Sequence, residues 1–139
     1  MGFERRQVFP FQFDMAFQGF HNAGNRSQCW LLETMDYAHK AHHFWVRPTL
    51  PEPPSAYFRR NCFATFQEDD AGLRMVEAFG LVDHVMWAND YPHHEGTWPH
   101  SAEAIERTMG HLSDATRADI LGLNAARFLN LEVPAKYRN

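Results

Sequence analysis

Two short apolar runs, 61–66 (NCFATF) and 83–90 (DHVMWAND), flank a segment at 68–80 (EDDAGLRMVEAFG) that reads as a helix. Both runs have strand length and strand composition. Acidic residues open the intervening segment and Gly80 closes it, as the helix dipole and a left-handed C-terminal residue prefer. Strand, helix and strand in that order form a crossover unit, and such units build parallel sheets. A parallel sheet has to be covered on both faces. Two clear strands are too few for a doubly wound sheet or a closed barrel. The pattern therefore predicts an α/β unit that is part of something larger.

The flanking segments fit that scheme. Residues 101–112 (SAEAIERTMGHL) predict a helix with Ser101 as its cap and Ile105, Met109 and Leu112 on one face. Ser113 is placed to cap the next helix, to about Leu121, and NAARFL adds a last helical turn. Upstream, a helix from Ser27 is expected, with Ser27 capping and Trp30, Leu31, Thr34, Met35, Ala38 and His42 recurring at three- and four-residue steps. RPTLPEPPSAYF, with four prolines between 48 and 54, reads as an extended connector. Residues 1–27 are rich in Phe without a sustained period, although Phe9, Phe11 and Phe13 alternate as on a strand.

Bulk properties exclude several function classes. The 139 residues suffice for one domain with its own core. A net charge of −4 argues against a nucleic-acid partner, which a basic stripe would recognise. Cys29 and Cys62 form no C-x-x-C pair, so neither a disulfide framework nor a cysteine zinc module is expected, only two partly buried thiols. Pro10, Gln12 and Asp14 interrupt the N-terminal aromatics, so no signal peptide is expected. No stretch approaches the ~20 apolar residues of a membrane span. The expected location is the cytoplasm.

The chemistry concentrates in 86–101 (MWANDYPHHEGTWPHS), where Asp90, His93, His94 and Glu95 fall within six positions. Asp90 follows a β-run directly, so its carboxylate stands at the carboxyl end of a parallel strand, where ligand groups of α/β folds gather. An aspartate there can ligate a divalent ion and accept the proton of a water the ion acidifies. It can equally cap a turn, and position alone weighs the two readings evenly. His93 and His94 are adjacent, so their side chains are expected to diverge, with one lining the site or orienting Asp90. Glu95 and His100 read as solvated loop residues, and Trp98 as local packing or a pocket wall. A self-contained zinc site is the poorer reading, because the cluster lacks a helical H-E-x-x-H arrangement. His39 and His43 are four apart but lack the glutamate, and read as surface histidines. No phosphate loop, G-x-S-x-G elbow or Cys–His–Asn set is present.

VMWANDYPHHEGTWPHS resembles the last-strand motif, W-[AG]-[ST]-D-[YW]-P-H, of the amidohydrolase-related metal-dependent TIM-barrel proteins, in the branch of the amino-carboxymuconate semialdehyde decarboxylase. WLLETMDYAHK, PSAYFRRNCFATFQEDDAGL and ILGLNAARFLNL are similar to further segments of that family, in the same order, over residues 28–133. MGFERR echoes a G-x-F-E-R segment, whereas residues 5–27 depart from the pattern. Asn89 stands where the family commonly has Ser.

The resemblance implies an α/β fold, the C-terminal part of a (β/α)8 TIM barrel, incomplete in this chain. Residues 1–27 are then a poorly matched N-terminal segment and 28–139 the barrel portion. It implies a divalent metal in the complete protein, zinc first and manganese as the alternative, with Asp90 as metal ligand and proton acceptor and His93 as a site-lining catalytic residue. The remaining family ligands have no match in this chain. The expected activity is hydrolysis of a small, carboxylate-bearing substrate; the alternatives are decarboxylation within the same family, or a non-catalytic truncated domain. The resemblance further implies a small-molecule substrate and a homodimer, with neither nucleic acid nor membrane as partner.

Overall fold

The computed structural model describes residues 26–42, 44, 45, 47 and 49–137. The possible strand around Phe9–Phe13 and His43 of the histidine pair lie outside the described residues. Helix α1 spans Arg26–His42 and α2 spans Pro54–Asn61. Strand β1 (Ala64–Phe66), helix α3 (Asp70–Val76) and strand β2 (Val85–Trp87) follow. Then come α4 (Ser101–Met109), α5 (Asp114–Ala118) and α6 (Asn124–Leu129), with a π turn, Asp119–Leu123, between the last two. Among the described residues no helix is long and apolar enough to cross a membrane.

The two strands pair in parallel, Ala64 with Val85, Thr65 with Met86 and Phe66 with Trp87. The crossover between them is α3, as the apolar–helical–apolar pattern predicts. Asp69 caps α3 by accepting from Gly72 N at 3.0 Å. At its other end Gly80, at φ 59°, lets Leu81 N reach Val76 O at 2.8 Å and Gly80 N reach Glu77 O at 3.0 Å. These two bonds close a Schellman motif, and Leu81 drops into the core behind it. Ala64 and Phe66 face inward and Thr65 outward, so β1 has one covered face. Leu73, Val76, Leu81, Val85, Met109 and Ile120 fill the space between strands and helices. Each fully buried aliphatic side chain here stabilises the fold by ~1.5–3 kcal/mol before entropy is charged against it.

Several expectations change at this level. The proline-rich connector ends in a helix, because Pro54 stands at the first helical position, where its missing N–H costs nothing. Asp36 of α1 secures that start by accepting from Ser55 N at 2.9 Å and Ser55 Oγ at 2.5 Å. Ser27 lies inside α1 rather than at its cap. The buried residues of α1 are Cys29 and Leu32, whereas Trp30 is 68% exposed. Packing against α2 and α3 turns the Cys29 and Leu32 stripe inward and leaves Trp30 on the outer side. Ser101 is likewise the first residue of α4 rather than its cap; its hydroxyl bonds Thr97 Oγ1 at 3.0 Å. Ser113 does cap α5, accepting from Thr116 N at 3.1 Å.

Candidate active site

The carboxyl ends of β1 and β2 lie side by side, and the ladder continues one step past them, with Ala88 N donating to Phe66 O at 2.9 Å. The chain then leaves β2 into a loop, 89–100, that carries the whole polar cluster. Asn89 starts it with an Asx turn, its Oδ1 accepting from Tyr91 N at 3.1 Å. Asp90 adopts the left-handed region at φ 58°, a conformation aspartate tolerates better than most residues. Two turns follow, closed by His93 N to Asp90 O at 2.8 Å and Gly96 N to His93 O at 3.0 Å. Thr97 N returns to Asn89 O at 3.0 Å and seals the loop at its base. The Tyr91–Pro92 and Trp98–Pro99 peptides are cis.

Gly96 is required by space. A Cβ there would meet Asn89 O at 2.6 Å, His93 O at 3.0 Å and Asp90 O at 3.1 Å. The inner wall of the loop is thus built from backbone carbonyls that only glycine can approach this closely.

Asp90 and His93 are brought together, with Nδ1 of His93 3.7 Å from Oδ2 of Asp90 and both side chains about half exposed. Glu95 joins them, its Oε2 3.9 Å from the same nitrogen. The Glu95 backbone N–H donates to His93 Nδ1 at 3.3 Å. Nδ1 is therefore the acceptor, and a neutral ring carries its proton on Nε2. That tautomer leaves Nε2–H as a hydrogen-bond donor and no free ring lone pair for a metal. His93 and His94 do not diverge as adjacency predicts; their rings lie against each other at 4.5 Å between centroids. The successive turns curl the backbone and bring neighbouring side chains to one side. Trp98 is an exposed partner of Tyr91 in an edge-on ring pair at 6.1 Å. His100, also exposed, lies 4.0 Å from Glu103.

Sequence reasoning missed Gln67. It follows β1, and its backbone carbonyl accepts from the Trp87 indole Nε1 at 2.9 Å. Its side-chain amide donates to Glu95 O at 3.1 Å, tying the end of β1 to the loop after β2. Glu68, next in sequence, pairs with Arg107 of α4. No sequence signal marks Gln67, because both of its contacts are set by the pairing of the strands.

A catalytic metal site needs about three protein ligands converging on one point. Among the described residues no three His, Cys, Asp or Glu side chains do so. Asp90 fits as one ligand at a strand end, and these residues do not complete a cage.

The family model described as amidohydrolase matches residues 18–131. The crystal structure of a 5-carboxyvanillate decarboxylase from Sphingomonas paucimobilis is similar, with 31% identity and a TM-score of 0.60. The match covers 74% of this chain and 30% of that one, so this chain spans less than a third of the length of that relative. No curated protein matches. With the family match running through β1, β2 and the Asp90 loop, the chain belongs to the amidohydrolase family.

Proposed function

We propose that this chain carries the Asp90 corner of a divalent-metal-dependent enzyme that decarboxylates a small aromatic carboxylate. The observation carrying the reading is the similarity to a 5-carboxyvanillate decarboxylase over 74% of the chain, beside a family match that runs through Asp90. On this reading β1 and β2 are neighbouring strands at the close of an eight-stranded barrel, and the other metal ligands lie outside the described residues. This reverses the order in which the sequence alone ranks hydrolysis and decarboxylation.

With Asp90 as one of its ligands, zinc or manganese would supply positive charge for holding the substrate carboxylate. The chain's own residues supply proton handling. Loss of CO2 breaks a carbon–carbon bond and leaves an electron pair on the ring carbon, which must then receive a proton. Asp90 Oδ2, on its half-exposed strand-end perch, is the group that takes this proton from solvent and delivers it to the ring carbon. His93 lies 3.7 Å away and lines the site beside it. Hydrolysis is the second reading, favoured by the amidohydrolase description of the matching family model. There Asp90 accepts a proton from the attacking water.

The test incubates the protein, supplied with Zn2+ or Mn2+, with 5-carboxyvanillate and with a panel of small amides and lactones, following products by NMR. A chimera in which residues 18–131 replace the matching segment of the decarboxylase relative is assayed beside it. CO2 release by either protein, lost on Asp90→Asn, supports the reading. Amide or lactone cleavage without CO2 release overturns it in favour of hydrolysis. A folded chimera that is inert, with the protein itself inert, sinks both.

A further inference from the structure

We infer that Gln67 is a positioning residue that sets the tautomer of His93, the ring that lies 3.7 Å from Asp90. The inference rests on the reading of Asp90 as the reactive carboxylate. The chain of contacts is continuous. Trp87 Nε1 holds the Gln67 carbonyl at 2.9 Å, which fixes where the Gln67 side chain departs from β1. Gln67 Nε2 holds the Glu95 carbonyl at 3.1 Å. The Glu95 N–H in turn holds His93 Nδ1 at 3.3 Å, and that nitrogen faces Asp90 Oδ2 at 3.7 Å.

The Glu95 peptide units are what Gln67 controls. A carbonyl pinned from outside limits rotation of the residue that carries it, and with it the direction of the neighbouring N–H. The N–H to Nδ1 contact spans only two residues and is long, so it does not hold the ring unaided. The other end of the Gln67 amide contributes no hold. Its Oε1 is buried without a hydrogen-bond partner among the described residues. The bond to Glu95 is the feature that explains an amide at this position.

The variant that separates positioning from support is Gln67→Met, which keeps length and volume and removes both polar atoms. Trp87→Phe is the second variant; it keeps an aromatic ring and removes the indole donor. The main readout is a long-range 1H–15N spectrum of the His93 ring, assigned with His93→Gln and recorded at about pH 8.5, two units above the ordinary histidine value. The wild-type spectrum is expected to show the Nε2–H tautomer, and both variants a mixture of tautomers, with the thermal midpoint of Gln67→Met unchanged or raised. Where the protein turns over substrate, kcat falls by about 10–100-fold, the range seen when outer partners of site residues are removed.

An unchanged His93 spectrum in both variants overturns the inference, as does a change that only accompanies global unfolding. A shifted tautomer in a protein that shows neither CO2 release nor hydrolysis leaves the positioning role standing and removes the functional reading beneath it.

Discussion

The side-chain amide of Asn124 reaches 39 residues back along the chain and donates to Val85 O at 2.7 Å, and to Val82 O at 2.6 Å. One fully buried nitrogen thus satisfies two carbonyls at the entry to β2, the strand that delivers Asp90. Arg127 reinforces the arrangement, bonding the Asn124 carbonyl oxygen, Asp83 at 3.0 Å and Asp119 at 3.1 Å. The π turn places Ile120 and Asn124, four apart and both buried, toward β2.

Asn124→Ala is expected to destabilise the fold by at least ~1–3 kcal/mol, because buried carbonyls lose their donor. Asn124→Asp is expected to be worse, since it sets a carboxylate against two carbonyl oxygens. Urea denaturation of both variants measures the cost. Equal stability of wild type and Asn124→Ala would remove the anchoring role.

Asp90→Asn should leave the unfolding free energy in urea within about 0.5 kcal/mol of wild type, as exposed positions do. Asparagine accepts the left-handed backbone at φ 58° as readily as aspartate. Turnover should fall by at least ~100-fold, the lower bound for loss of a proton-transfer group. Stability and rate measured on the same preparation separate a chemical role from a turn-capping one. Parallel losses of both would favour the turn cap.

Gly96→Ala should open the loop, because its methyl group meets the Asn89 carbonyl at 2.6 Å and two further carbonyls near 3 Å. The expected cost is ~1–3 kcal/mol, as for other overpacked sites. Its signature is loss of hydrogen-exchange protection at the amides of Gly96 and Thr97, while those of β1 and β2 stay protected.

Burial pushes the Cys29 thiol up, with the Asp69 and Glu33 carboxylates adding to the effect. A thiol raised in the folded state contributes stability that is complete below its ordinary value and is lost as pH rises through the raised one. The fold should therefore weaken above about pH 9 in a manner that Cys29→Ala reduces. Cys62 is exposed as a residue, though desolvation of its sulfur raises that thiol also. Maleimide should label Cys62 in the native protein, faster at higher pH, and reach Cys29 only on unfolding. Native labelling of Cys29 would contradict its burial.

Much of this architecture is legible in short-range chemistry. The runs holding β1 and β2 are apolar and bounded by polar residues. Asp69, Gly80 and Ser113 do locally what their residue types predict. The motif around Asp90 resembles one family and places the carboxylate beyond a strand, where the structure has it. Local reading fails where a partner decides. Trp30 and Cys29 both fit an apolar stripe on α1, and only the packing against α2 and α3 selects Cys29. The prolines before α2 hide a helix that Asp36, on another element, helps to start.

By itself, then, the sequence determined the parallel α/β unit, its principal helix ends and the aspartate at a strand terminus, because hydrophobic periodicity, capping and turn preferences act over a few residues. Only the tertiary structure decided that His93 faces Asp90 through Nδ1, that His94 stacks on it, and that Gln67 holds the loop from the next strand. The two histidine contacts depend on how successive turns curl the loop. The Gln67 contacts depend on the pairing of Phe66 with Trp87, and a contact between strands twenty residues apart leaves no periodic trace in either one.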